Sequence, residues 1–329
     1  MRKISPILIV LLVFSACDTD FELEAPWQDI PVVNGFLSLQ DTAHYIRIER
    51  AFQQEGTDAR DIAQNPDSIY YDENLIAELE RINTGQRFPL QRIDGNLEGY
   101  PREDGPFTNS PNILYKIKAS DINLRAGETI RLRIQRNEGA ELATAETQIL
   151  DDIFIRESNP VSPVNMAYDR NINFVFNVGE AAQLFDVRLL FRIRELENGQ
   201  SNIQEIEWVL TDDQRRVSEE ARVAVEITGE EFYRFLGSAL SPRNGVQRFF
   251  EGFDLLVAAG GQEMVDLLTV QQANTGITSA QLIPIYTNLS RGRGIFSSRS
   301  TAIRRGLELN SSSQDSLRNG IFTRQLGFQ

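Results

Sequence analysis

The chain has 329 residues with one cysteine, one histidine and a formal charge of −14 at neutral pH. So acidic a balance repels nucleic acid and anionic headgroups, and neither is an expected partner. One cysteine excludes an internal disulfide, and with one histidine it excludes zinc sites built from those two residue types.

Met1-Arg2-Lys3 is followed by Ile4-Ser5-Pro6 and an unbroken apolar run from Ile7 to Phe14. A short cationic start, an apolar core and small residues before a cut site make residues 1–16 a secretory signal peptide. The run falls far below the roughly 20 residues that span a bilayer as a helix, so it is an export signal and not an anchor. Ser15-Ala16-Cys17 resembles the lipobox of bacterial lipoproteins, with Phe14 where Leu is usual. That resemblance implies acylation of the Cys17 thiol and a mature chain starting at Cys17. The alternative is an ordinary signal peptide with an incidental cysteine. Each buried methylene contributes on the order of 0.8 kcal/mol, so the three chains of a lipoprotein cysteine hold the protein to a membrane for good.

Residues 17–30 follow as an acidic, solvated segment opening with Cys17, Asp18, Thr19, Asp20, Phe21 and Glu22. It reads as a soluble tether. It also looks like the acidic signal by which Bacteroidota send lipoproteins to the outer face of the outer membrane, carried by Asp18, Asp20, Phe21 and Glu22. In enterobacteria, by contrast, Asp directly after the cysteine retains a lipoprotein at the inner membrane, and the host lineage decides between the two addresses.

The rest, roughly 310 residues, is long enough for two domains with their own cores, and its pattern is mainly β. Over 31–158, "VVNGFLSL" and "HYIRIERAF" alternate with period two around a turn at Asp41-Thr42. "LIAELERI" and "RFPLQRI" form a hairpin across "NTGQ", although Leu75 to Ile82 also suits a helix by propensity. "NILYKIKA", "ETIRLRIQRN" and "ELATAETQIL" complete the set, with turns at Gly127 and Asn137-Glu138-Gly139. Short alternating strands separated by turns predict a β-sandwich. The stretch Gly95 to Asn112, rich in glycine and proline, is a long loop, and Tyr100 and Phe107 are its candidate binding residues.

A boundary is expected near Asn159–Pro163, with a second β-rich domain over 159–329. Its strands are "INFVFNV", "FDVRLLFRIREL", "IQEIEWVL", "ARVAVEIT" and "FDLLVAAGG". A helix near 229–240 is announced by a capping box, Thr228 as N-cap and Glu231 three residues on, with Phe232, Phe235, Leu236 and Leu240 on one face. A second helix near 262–273 places Met264, Leu267, Leu268 and Gln271 in register, and the apolar residues of both helices read as core.

Phe253 to Ser298 runs as a strand, a helix to "VQQANTG", Pro284 and "YTNLSRGRGIF". With the export signal, the cysteine and "VVNGFLSL", this order resembles the Bacteroidota outer-membrane lipoproteins grouped as domain of unknown function forty-two forty-nine. Asn288, Gly292, Gly294, Ile295 and Phe296 are the matching positions. The loop Gly95–Asn112 and the arginines Arg291 and Arg293 depart from the family pattern. The resemblance implies an immunoglobulin-like first sandwich and a surface lipoprotein, often encoded near a TonB-dependent receptor. It implies no catalytic residue. Physically, Gly292 and Gly294 permit left-handed backbone or close approach of another strand, either as a glycine turn or as a nest in which the arginines hold an anion.

Hydrolytic chemistry needs a matched base, nucleophile or metal set. His44 stands directly before a strand without metal-ligand spacing or a nucleophile elbow, and reads as a structural or exposed residue. Asp151-Asp152, Asp212-Asp213, Glu219-Glu220 and Glu230-Glu231 are acidic pairs at turns or helix starts. No P-loop, dinucleotide fingerprint or calcium loop is present in the sequence. The expectation is a non-catalytic surface lipoprotein without cofactor or metal, an accessory or lid to a TonB-dependent outer-membrane transporter. Alternatives are a small-ligand or glycan-binding module, for which Trp27 and Trp208 are few, and a structural envelope protein with no ligand.

Overall fold

In Thr129–Arg136, Ile130, Leu132 and Ile134 are fully buried, while Arg131, Arg133 and Gln135 are half-buried on the opposite face. The same two-residue period builds most of the molecule. The computed structural model describes residues 29–51, 58–136, 139–273 and 285–329. The signal peptide, Cys17, Asp18, Asp20, Phe21, Glu22, Trp27 and the Asn137-Glu138 turn lie outside the described residues.

The strands of the first sandwich are β1 (Pro31–Leu37), β2 (Ala43–Arg50), β3 (Leu75–Arg81), β4 (Gln86–Pro89), β5 (Gln91–Asp94), β6 (Ile113–Lys118), β7 (Thr129–Arg136) and β8 (Glu141–Gln148). One sheet orders them β1-β2-β6-β5 and the facing sheet β4-β3-β7-β8. In chain order these are the A-B-E-D and C′-C-F-G sheets of an immunoglobulin-like sandwich. The first core lies between them, with Val33, Leu37, Ile46, Ile48, Leu79 and Leu132 at its centre. Leu75–Arg81 is a strand and not a helix, because its alternation buries Leu75, Ala77 and Leu79 in the first core while its backbone pairs with β7.

The second half adds β9 (Phe154–Ile155), β10 (Asn171–Asn177), β11 (Leu184–Glu197), β12 (Gln200–Arg215), β13 (Arg222–Thr228), β14 (Val246–Gly260) and β15 (Arg293–Leu307). A three-stranded sheet, β13-β10-β9, faces the strands β12-β11-β14-β15 across a phenylalanine-rich core that includes Phe174, Phe176, Phe191, Phe232 and Phe253.

The expected division at residue 159 needs one correction. The two halves share one eight-stranded sheet, β12-β11-β14-β15-β1-β2-β6-β5, and β15 is the strand that joins them. Its first residues run parallel to β1, from Val32 opposite Arg293 to Leu37 opposite Ser298. Its later residues run antiparallel to β14, from Gly260 opposite Arg299 to Phe253 opposite Leu307. Without β15, β1 would be a bare sheet edge with unpaired backbone groups. Phe296 also enters the first core, so this stretch completes the first sandwich although it lies far along the chain. At about 3.3 Å per residue the strand spans some 50 Å.

Helix α1 (Gly229–Ala239) begins with the expected box. The Thr228 backbone N–H donates to Glu231 Oε2 at 2.7 Å, and the Glu231 N–H donates to Thr228 Oγ1 at 3.2 Å. These bonds hold the Glu231 carboxyl below the usual carboxylate range. Phe232 and Leu236 are fully buried, while Phe235 stacks on Trp208 of β12 with centroids 4.8 Å apart. Helix α2 (Gln262–Ala273) departs from expectation. Met264, Leu267 and Leu268 are only half-buried, because the helix lies across the outer face of the shared sheet and not in a core. Helix α3 (Ser311–Asn319) closes the second core with Leu317. Among the described residues no helix is long and apolar enough to cross a membrane.

Candidate functional site

The family-like stretch Asn288–Phe296 forms a backbone lock. Asn288 Nδ2 donates to the carbonyls of Phe296 (2.6 Å) and Glu146 (3.2 Å), and Asn288 Oδ1 accepts from the Phe296 N–H at 3.0 Å. One side chain thereby ties β8 to the start of β15. Gly292 (φ +119°) and Gly294 (φ +97°) are held in conformations that favour glycine. A Cβ at Gly294 would lie 1.9 Å from the Val33 carbonyl oxygen, and one at Gly292 would lie 2.4 Å from that of Pro31. Close approach of β15 to β1 thus accounts for both glycines. Arg291 and Arg293 are exposed, and their side chains make no hydrogen bond or ion pair among the described residues. They border a cleft of about 590 Å³ with Asp29, whose carboxylate accepts from Tyr71 Oη and Arg136, both at 2.8 Å.

Strand directions place the loop Gly95–Asn112 in the molecule. β1 starts at Pro31 and β2 ends beside it at Arg50, while β6 starts at Ile113, so loop and tether entry share one pole of the first sandwich. Gly95 N–H donates to the Asn112 carbonyl at 2.7 Å, closing the loop at that pole. Between these ends the loop folds back over the outer face of β2 and β6. Tyr100 is about half exposed, with its ring centroid 4.6 Å from that of Tyr45. Lys116 Nζ lies 5.5 Å from the Tyr45 ring and is ion-paired with Glu98, and Leu97 beside them is 87% exposed. Phe107 does not join this patch. It packs against the first core, under the Arg102 guanidinium at 4.7 Å. Tyr45, Lys116 and Leu97 escape a reading from sequence, since nothing in their spacing shows that the loop lies back over β2.

His44 sits inside β2, not before it, and is 1% exposed, with neither ring nitrogen hydrogen-bonded among the described residues. Burial lowers its pKa from 6.5, and Arg299 adds to this against the opposing effect of Asp41. A depressed folded-state pKa means the unfolded chain takes up the proton first. Stability is expected to be unaffected by this group above pH 6.5 and to fall progressively as pH drops below it. Denaturation midpoints between pH 7 and 5 should therefore decline less steeply in His44→Phe than in the wild type.

The four acidic pairs occupy separate segments. Glu230-Glu231 caps α1, Asp151 Oδ1 accepts from the Asp152 N–H at 2.8 Å, and Glu219-Glu220 offer backbone carbonyls to Arg216. Asp212-Asp213, expected at a turn, lie inside β12 at a bulge. Phe185 opposes Gln214 and Val187 opposes Thr211, so both aspartates face the single residue Asp186. Asp213 takes a left-handed φ of +54°, and it lines a mainly apolar cavity of about 310 Å³ at the junction of the two sandwiches. Among the described residues no group of three or more His, Asp or Glu side chains is placed to hold a metal ion.

Neither a protein-family model nor a curated protein sequence matches the chain. Among solved structures it is similar to the C-terminal globular domain of an oligosaccharyltransferase from Pyrococcus abyssi, at 10% identity and a TM-score of 0.22, covering 68% of this chain and 45% of that one. It is also similar to the chicken interferon gamma receptor alpha chain, at 7% identity and a TM-score of 0.16, covering 71% and 89%. This chain thus spans less than half the length of the first. The immunoglobulin-like character of the first sandwich lies in its strand order.

Proposed function

We propose that this chain is a non-catalytic outer-membrane lipoprotein, acylated on Cys17 and exposed at the cell surface, where it serves as accessory to a TonB-dependent transporter. The reading is supported by the lone cysteine between an apolar leader and an acidic run, and by the resemblance to domain of unknown function forty-two forty-nine. The observation that supports a contact near the membrane is the anchoring of the loop Gly95–Asn112 at the pole where the tether enters. Residue 29 lies twelve residues beyond Cys17, a reach of about 40 Å at full stretch. The loop that carries Leu97 and Tyr100 folds back from that pole along β2 to Tyr45, so the patch lies on a side face of the first sandwich that a short tether would hold close to the membrane. Half-exposed tyrosines with an adjacent cation suit a protein interface better than open water.

The test is a photo-crosslinking residue at Tyr100 in cells, with a second at Gly199 as control. Gly199 lies in the turn between β11 and β12, at the opposite end of the shared sheet. Crosslinks from position 100 to an outer-membrane barrel, with none from position 199, are expected, and Tyr100→Ala should weaken co-purification of that barrel. Crosslinks from position 199 alone would overturn the assignment.

A further inference from the structure

The junction cavity lies on the outer face of the shared sheet, under the start of α2. Phe36 of β1, Ala258 of β14 and Met264 of α2 supply apolar wall, and Asp186, Asp213 and Arg299 supply the polar groups. Two of those three charges are already committed. Arg188 Nε donates to both carboxylate oxygens of Asp186 at 3.0 and 2.9 Å, and Arg299 Nη2 donates to both oxygens of Asp41 at 3.1 Å. The Asp213 side chain makes no hydrogen bond and no close ion pair among the described residues, although it is half-buried, and Arg215 two residues on attracts it only from a distance. The bulge sets it beside Asp186 and Asp212, so like charges crowd this carboxylate at the edge of an apolar space, with the more distant pull of Arg215 opposing them.

We propose that this cavity binds a small amphiphile, an apolar body with a protonated amine head, and that Asp213 receives the amine. The apolar body covers Phe36, Ala258 and Met264, and the cation relieves the crowding of the three carboxylates. A carboxylate ligand would add a fourth negative charge, and Arg299 would have to leave Asp41 to receive it. A volume near 310 Å³ stands at the lower end of small-molecule sites. Asp213 also lends itself to a clean test. Asparagine tolerates left-handed φ at least as readily as aspartate, so Asp213→Asn removes the charge and keeps the bulge.

The experiment is calorimetric titration of the full-length protein in detergent with cyclohexylamine, cyclohexanol and cyclohexanecarboxylate, each corrected by a detergent-only titration. The amine is expected to bind about tenfold or more tighter than the alcohol, from one charge-assisted hydrogen bond, with the carboxylate weakest. Asp213→Asn should bring amine and alcohol to equal affinity, and Asp212→Asn should leave the preference in place. Ala258→Phe, which fills the cavity, should abolish all binding. Equal affinities in the wild type, binding by none of the probes, or an amine preference that survives Asp213→Asn would each overturn the proposal.

Discussion

Gly294→Ala is expected to lower stability by about 3–5 kcal/mol, a large share of what a domain of this kind possesses. Two causes add. The backbone at Gly294 has φ +97°, where a side chain is strained, and the new methyl would sit 1.9 Å from the Val33 carbonyl oxygen. That oxygen belongs to β1, so the clash can be relieved only by moving β1 and β15 apart where the two sandwiches are joined. Gly306 in the same strand separates the causes. It has φ +70° with nothing within 4 Å of an added Cβ, so Gly306→Ala should cost only about 1 kcal/mol. Urea denaturation of both variants checks this. Equal losses would mean that strain alone matters and that the close contact of β15 with β1 does not.

Arg248 is the second position where one substitution should be severe. It is 1% exposed, and its guanidinium donates to Glu195 Oε1 (2.8 Å), the Leu326 carbonyl (2.7 Å) and the Ser241 carbonyl (3.1 Å). Its backbone also pairs with the C-terminus, from the Arg248 N–H to the Gly327 carbonyl and from the Gln329 N–H back to the Arg248 carbonyl, both at 2.9 Å. Arg248→Met would leave two carbonyls unsatisfied and the Glu195 carboxylate held only by Arg243 at 2.9 Å. Breaking a buried pair on one side costs about 3–5 kcal/mol, whereas replacing both partners by apolar residues is often close to neutral. The single variant should therefore unfold early and lose its C-terminal residues to protease, while Arg248→Met with Glu195→Leu should recover most of the loss. A double variant as unstable as the single one would show that the arginine acts through its carbonyl contacts, not through the ion pair.

These two positions mark where sequence reading stops. The alternation in β2, β3 and β7 and the box at Thr228 are local, with the period and the cap residues written in consecutive positions, and the structure has them as expected. The parallel pairing of β1 with β15 joins residues some 261 positions apart, as Leu37 does with Ser298. No local pattern specifies such a partner; the glycines at 292 and 294 hint at close approach without saying to what. Helix α2 misled because apolar residues at helical spacing signal a buried face, yet here they cover a sheet from outside. Tyr100 and Phe107 look alike in a loop rich in glycine and proline. Only the fold separates the exposed tyrosine from the core phenylalanine. The bulge at Asp213 is likewise invisible in a strand of ordinary composition, because it depends on the register with β11.

Membrane attachment and the surface role both depend on lipid at Cys17. Intact-mass measurement of the protein from the membrane fraction tests this directly. The expected mass is that of a chain beginning at Cys17 and carrying acyl groups on that residue, with Cys17→Ala protein absent from the fraction. A mature chain with an unmodified thiol, or a Cys17→Ala variant that stays with the membrane, would contradict it.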